Sequence, residues 1–363
     1  MEPVRPEYGG AALTGIVPAL VGGTPAPWLP APVHDASSVV VLLLDGLGWN
    51  AIESHRSRLP VLDGMEGRAI TTVAPSTTAS ALTSLATGLA PSQHGLVGFR
   101  MRVDDEVLNV LRWQTSGSRR PPDPFTVQRH TAFLGRDVPV VTRSEFRNTG
   151  FTDAQLRGSR FVGWHAVSTL VEQCRRLVSA GERFVYAYYP YVDTVAHEYG
   201  LHDTFYEREL EAADALVGRL LGALPSSCAL VVTADHGQVQ VGPSGWVELP
   251  ELAPLVALQA GDARFRYLYA RPGAAAELAA AAREHAGHVA WVLTREEVLS
   301  AGWLGPPPTG SIGGRIGDVV LAAREPVGFV DPSMPQETTL IAMHGSLTSD
   351  EMHVPLLAAR GHA

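Results

Sequence analysis

The hydrophobic positions of the chain fall into two rhythms. From Ser37 to Leu44 β-branched and leucine residues run without alternation, which predicts a central parallel strand covered on both faces. It ends at Asp45-Gly46-Leu47-Gly48, so a carboxylate is expected at the carboxyl edge of a sheet, where open α/β folds bind their ligands. Between Thr77 and Thr87, Leu82, Leu85 and Ala86 recur at helical spacing, and Gly88 suits the residue that ends the helix. Val167, Leu170, Val171, Cys174, Leu177 and Val178 form one helical stripe before Gly181, and Phe184–Tyr189 then reads as a strand. Pro190 to Asp203 reads as a loop, Phe205 to Leu224 as an amphipathic helix, and Ala229 to Ala234 as another buried strand ending in Asp235-His236-Gly237.

The pattern then shifts. Arg264–Arg271 predicts a strand, Gly273–Ala286 an alanine-rich helix and His288–Leu293 a strand, and Thr294 opens a helix with Glu297 completing a capping box. This βαβα block has the look of an inserted α+β cap, closed by the Gly- and Pro-rich stretch from Gly305 to Gly314; Asp318–Ala323 resumes strand character before His344-Gly345. The expected organisation is an arm over residues 1–36, rich in Pro, Gly and Ala, that packs on the domain or frays. A core over 37–245 and 314–363 follows, with the cap at 246–313.

Composition narrows the chemistry. With 363 residues, 45% hydrophobic and 18% charged, the chain has enough apolar surface for a sizeable core. The apolar run ending at Leu44 is far short of the ~20 residues of a membrane span, and the start, Met1-Glu2-Pro3 with prolines at 18, 25 and 27, lacks a secretory pattern, so a cytoplasmic protein is expected. Cys174 and Cys228 form no CxxC and read as core residues. All 28 basic residues are arginine, which excludes a Schiff-base lysine, a P-loop lysine and a protein-kinase ion pair. A formal charge of -9 disfavours a long nucleic acid as partner but allows a small anion held through metal ions.

Acidic and imidazole side chains gather at the predicted strand ends: Asp45, then Asp193 with His197, Asp235 with His236, and finally His344. Carboxylates and imidazoles in this ratio suit zinc or manganese better than calcium, and six of them suffice for two ions. Asp193-x-x-x-His197 has the spacing that places both side chains on one face of a helical turn, although a loop also delivers it. Taken singly the positions have plainer readings: Asp45 as an Asx-turn residue, Thr78 as a helix cap, His344 as one of 13 histidines.

The ordered set resembles the alkaline phosphatase superfamily in its nucleotide pyrophosphatase/phosphodiesterase branch, from Val39 to Leu357. The stretch Pro75-Ser76-Thr77-Thr78, continuing through Ala86-Thr87-Gly88-Leu89-Ala90-Pro91 to Gln93-His94-Gly95, follows that branch's nucleophile helix. The resemblance implies a three-layer α/β core with a mostly parallel central sheet flanked by helices, and a metal-dependent phosphodiesterase with two divalent ions. By it Asp45, Asp235 and His236 hold one ion, Asp193, His197 and His344 the other, and Thr78 is the nucleophile between them. The sulfatase signature C/S-x-P-x-R is absent, and Ala79 and Ser80 follow Thr78 where monoesterases carry an arginine, which favours diesters.

One departure stands out. The asparagine that supports a phosphoryl oxygen in this branch falls at Phe99, within Gly98-Phe99-Arg100-Met101. Phe99 is expected to stack on a base, and Arg100 or Arg102 to meet a second phosphate, unless the three are simply a strand with alternating packing. Among subgroups the chain is most similar to actinobacterial cyclic di-AMP phosphodiesterases, which implies hydrolysis of cyclic di-AMP to pApA and AMP, with manganese as the ion and zinc as the alternative. A nucleotide pyrophosphatase, a phosphonoacetate hydrolase and a non-catalytic nucleotide sensor are the competing readings.

Overall fold

The apolar runs assemble into one sheet, and its register decides where the polar residues that follow them end up. The computed structural model describes residues 2–117 and 120–363. Its principal strands are β1 (Ser38–Leu44), β2 (Glu66–Thr71), β3 (Pro139–Arg143), β4 (Arg160–Trp164), β5 (Phe184–Tyr189), β6 (Cys228–Thr233), β7 (Val256–Asp262), β8 (Phe265–Ala270), β9 (Ala290–Thr294), β10 (Val319–Ala323) and β11 (His353–Arg360). The central sheet runs β2-β11-β6-β1-β5-β3-β4. Its middle is parallel, and only β11 pairs antiparallel with its neighbours β2 and β6. Strands β1, β5 and β6 are buried along their whole length, as their unalternating sequences require. Leu44 lies opposite Tyr189 and Leu43 opposite Thr233, so the chain leaves all three strands side by side at one edge.

The helices that matter here are α1 (Leu13–Leu20), α2 (Thr78–Thr87), α3 (Val167–Ser179), α4 (Tyr191–Tyr199), α5 (Thr204–Ala223), α6 (Ala275–Ala286) and α7 (Arg295–Ser300). The first belongs to the arm, which packs: Leu13, Ile16 and Val17 are buried, and the Val4 N–H donates to the Leu347 carbonyl at 2.9 Å. Every residue of α2 is buried, which a helix of Thr, Ser, Ala and Leu tolerates because its hydroxyls find partners. Thr83 and Thr87 donate to the carbonyls four residues back, Ser80 donates to Leu96 O, and Ser84 bonds His94. Gly88 ends it with φ 72°. The Thr294/Glu297 capping box forms as expected at the start of α7.

Two expectations need correction. Pro190–Asp203 is not a loop throughout, since α4 occupies most of it; Val192 and Ala196 are buried beneath the polar face, too short an apolar repeat to read as a helix from sequence. The strand expected at Asp318–Ala323 also pairs away from the central sheet. Strand β10, expected in the core segment, is an inner strand of the four-stranded antiparallel sheet β7-β8-β10-β9, and β7 was not anticipated at all. This sheet has two apolar faces. Phe265, Tyr267, Tyr269, Val320 and Ala322 face the main core, while Leu268, Val319, Leu321 and Ala323 join Leu278, Ala279, Ala282 and Ala286 of α6 in a second one. Arg264 fixes the seam: fully buried, it forks onto Glu351 at 2.7 and 3.0 Å.

Candidate active site

Seven side chains named from sequence meet at the carboxyl edge of β1, β5 and β6. Asp45 and Asp235-His236 come directly off β1 and β6, Asp193 and His197 from α4 after β5, and His344 from the segment before β11. Thr78 is the first residue of α2. Its Oγ1 lies 3.2 Å from His236 Nε2, which is also 3.5 Å from Asp45 Oδ1 and 3.4 Å from Asp235 Oδ2. On the other side Asp193 Oδ1 is 3.3 Å from His197 Nε2 and 3.7 Å from His344 Nε2. The His236 and His344 rings stack with centroids 3.6 Å apart.

Each imidazole is held by its far nitrogen. The Nδ1 atoms bond the carbonyls of Gly237 (His236, 3.0 Å), Ala342 (His197, 2.7 Å) and Ser76 (His344, 3.0 Å), which leaves every Nε2 turned inward. The carboxylates show the same division. Asp45 Oδ2 accepts from the Tyr188 hydroxyl, and Asp235 Oδ1 accepts the N–H groups of Gly46 and His236, both at 3.1 Å. Asp45 Oδ1 and Asp235 Oδ2 are then buried without a hydrogen-bond partner. Asp193 Oδ1 accepts from Gln238 Nε2 at 2.6 Å.

Two buried, unpartnered carboxylate oxygens are costly unless a cation meets them. Burial, and then Asp235 and Asp193, push the Asp45 carboxyl well above the usual carboxylate range; burial likewise raises Asp235. Burial, then His236 and His197, holds His344 well below the usual imidazole value, which keeps it neutral as a ligand must be. The spacing fits too: ligands about 2.0–2.2 Å from one tetrahedral ion stand about 3.3–3.6 Å apart. The gaps around His236 Nε2, and that from Asp193 to His197, fall in or next to this range, and the Asp193–His344 gap is only slightly wider. The ligand atoms of Asp193, His197 and His344, and those of Asp45, Asp193 and His236, lie within 4.8 Å of one another.

Thr78 separates two lobes of a cleft. One, about 390 Å³, is walled by Phe99, Arg112, Asp262, Met334 and Leu340; the other, about 250 Å³, by Phe146, Phe151, Tyr186 and Tyr188. Thr78, Leu111 and Asp193 line both. Of the three residues expected to contact substrate, only Phe99 lies in the cleft. Arg100 is buried and ion-paired with Asp331, and its Nη2 donates to Ser333 at 3.0 Å. The Arg102 guanidinium sits over the Tyr269 ring, 4.8 Å from its centroid, and lines a separate hollow with Asp104 and Arg315. Both are engaged by the cap because strand alternation turns them away from the cleft.

Four residues went unseen in the sequence. Tyr188 lies near the end of β5, Gln238 two residues after His236, and Arg112 in a turn; a site-by-neighbour reading could have found the first two. Asp262, at the end of β7, carries no local signal, yet it accepts from Thr77 Oγ1 at 2.7 Å and from the Phe99 N–H at 3.3 Å. Burial pushes its carboxyl up to about 6. Because Thr77 donates to Asp262 instead of capping α2, the first N–H groups of that helix are left to a ligand.

The sequence profile of type I phosphodiesterases/nucleotide pyrophosphatases matches residues 39–347, which span the site and most of the chain. The chain belongs to this family. Its members are metal-dependent hydrolases of the two-divalent-metal type, and the chain is such an enzyme. Solved structures agree in fold: murine ectonucleotide pyrophosphatase/phosphodiesterase 5 superposes with a TM-score of 0.70 at 16% identity, covering 90% of this chain and 88% of that one. An inactive threonine-to-alanine form of the murine protein, in complex with AMP, gives 0.67 at 16% identity over 89% and 87%. Phosphonoacetate hydrolase from Sinorhizobium meliloti 1021, in complex with phosphonoacetate, gives 0.63 at 19% identity over 100% and 94%. No curated protein matches the sequence. No helix is long and apolar enough to cross a membrane among the described residues.

Proposed function

We propose that the enzyme is a two-metal phosphodiesterase that transfers a nucleotidyl phosphoryl group to Thr78 and then to water. The observation that carries this is the position of Thr78 Oγ1, 3.2 Å from His236 Nε2 at the meeting point of six ligand-type side chains and on the first turn of a buried helix. Asp45, Asp235 and His236 would hold one cation, and Asp193, His197 and His344 the other. When bound, the ions supply the Lewis acidity that a hydroxyl of ordinary pKa needs to act as nucleophile, and they offset charge on the leaving oxygen.

The remaining work falls to the chain itself. Tyr188, Gln238 and the three backbone carbonyls fix the ligands' orientation, and the N-terminus of α2 presents N–H groups and a positive dipole to the phosphoryl oxygens. Attack by Thr78, with loss of its hydroxyl proton, expels one alcohol and leaves a phosphothreonine diester that still carries the nucleoside; water attacks the same phosphorus from the vacated side, releases the nucleoside monophosphate and frees Thr78.

The substrate we infer is a small nucleotide diester, with cyclic di-AMP, cleaved to pApA and AMP, as the leading candidate and manganese as the ion. Two lobes with aromatic walls on either side of Thr78 suit a phosphate that carries a nucleoside on each side, whereas phosphonoacetate has no group to fill either. The AMP complex of the murine relative is in keeping with a nucleotide. A non-catalytic sensor would have no use for a nucleophile and a full ligand set. The test is Thr78→Ala: its turnover of bis(p-nitrophenyl) phosphate should fall by about a thousandfold or more while its metal content holds, and wild-type turnover would refute the assignment. Rates on cyclic di-AMP, pApA, ATP and phosphonoacetate, compared side by side, decide the substrate.

A further inference from the structure

The walls of the cleft are acidic. Asp45, Asp193, Asp262 and Glu337 line it, and among the described residues Arg112 is the one guanidinium that does. Every other arginine near the cleft is engaged: Arg100 by Asp331, Arg266 by Glu337, Arg264 by Glu351. Arg112 has no carboxylate within ion-pair distance among the described residues. Its side chain is exposed, and its guanidinium makes no hydrogen bond among the described residues; its backbone N–H donates to Asn109 Oδ1 at 3.0 Å.

The turn that presents it is built at a cost. Trp113, the next residue, adopts φ 52°, a left-handed conformation unfavourable for a bulky side chain, and such strain persists only where surrounding contacts impose it. Here its indole N–H donates to the Pro122 carbonyl at 2.8 Å, and its ring fills the space over Gly150, where an added Cβ would meet Trp113 Cγ at 2.1 Å. The Val110 N–H is likewise bound, to the Phe99 carbonyl at 2.9 Å. The outcome is a pinned turn that holds Leu111 between the two lobes and Arg112 over the lobe containing Phe99, His197 and His344.

We propose that Arg112 anchors a second phosphate of the substrate, so that the enzyme's substrate class is nucleotide diesters bearing another phosphoryl group beyond the scissile one. This rests on the phosphodiesterase reading above and narrows it. A guanidinium grips two phosphate oxygens at once, and an unpaired one in this cleft gives a second phosphate a partner apart from the ions and helix N-terminus that meet the scissile one. The place expected of Arg100 or Arg102 is thus taken by a residue ten or more positions later.

The test compares two diesters in wild-type and Arg112→Gln enzyme: cyclic di-AMP, with a second phosphate, and bis(p-nitrophenyl) phosphate, without one. The ratio of kcat/KM for the first over the second should fall about tenfold, through KM, and Arg112→Lys, which keeps the charge but not the fork, should recover only part of the loss. A ratio unchanged in Arg112→Gln, or loss through kcat on both substrates alike, overturns the proposal. If the wild-type enzyme leaves cyclic di-AMP intact, that choice of substrate fails by itself, and the ratio is read with pApA, which also carries a second phosphate.

Discussion

Gly46 offers a sharp test of how the site is held. It follows Asp45 with φ 75°, and its N–H donates to Asp235 Oδ1 at 3.1 Å. A Cβ added there would stand 2.9 Å from both Cα and Cβ of Asp193 and 2.8 Å from Gln238 Nε2. Carbon atoms need about 3.5 Å, so Gly46→Ala must drive the α4 backbone at Asp193 away by about half an ångström. Metal bonds tolerate about 0.2 Å. The left-handed conformation adds about 1–2 kcal/mol of destabilisation. Disturbing a ligand and its Gln238 support together should weaken metal binding by about 10- to 100-fold. The assay is a manganese titration of bis(p-nitrophenyl) phosphate hydrolysis, with a thermal melt on the same protein. Wild-type metal affinity in Gly46→Ala would refute the reasoning that Asp193 is placed by the glycine.

Two further outcomes follow from buried charges. Arg100→Ala removes one of the two guanidinium partners of buried Asp331, which keeps Arg266 at 3.6 Å and Ser333, and should cost about 1.5–3 kcal/mol in denaturant unfolding, with the KM for a single-phosphate diester little changed; a KM effect without a stability effect would restore Arg100 to the cleft. Burial holds His94 down to about 3, and its ring is fixed by Ser84 and the Leu96 N–H. The unfolded chain takes up that proton near pH 6.5 and the folded one does not, so stability is lost as pH falls. Wild type should lose about 3 kcal/mol more than His94→Gln between pH 6.5 and 4, and parallel stability curves would contradict this.

The sheet and the carboxylates at its edge were readable because they share one cause. A strand buried on both faces must be continuously apolar, so the first carboxylate after it marks the sheet's edge, and Asp45 and Asp235 each follow such a run. Residues whose role depends on distant pairing were not readable. Strand β10 looks like any apolar run until its pairing with β8 and β9 is known, and α4 hides in a nine-residue segment with two buried apolar positions. Asp262 reaches the start of α2 from 185 residues away, and Arg100 is drawn to a partner, Asp331, that lies 231 residues on. Local pattern gives the sign of a residue's charge but not what neutralises it. For Arg100 that is a carboxylate; for Arg112 it is nothing described within the protein.

The measurement that bears most directly on the two-ion site is anomalous diffraction from manganese-loaded crystals of the enzyme. Two peaks are predicted, one about 2.0–2.3 Å from Asp45, Asp235 and His236 and the other at that distance from Asp193, His197 and His344, with Thr78 between them. A single peak, or ions held by other side chains, would contradict it.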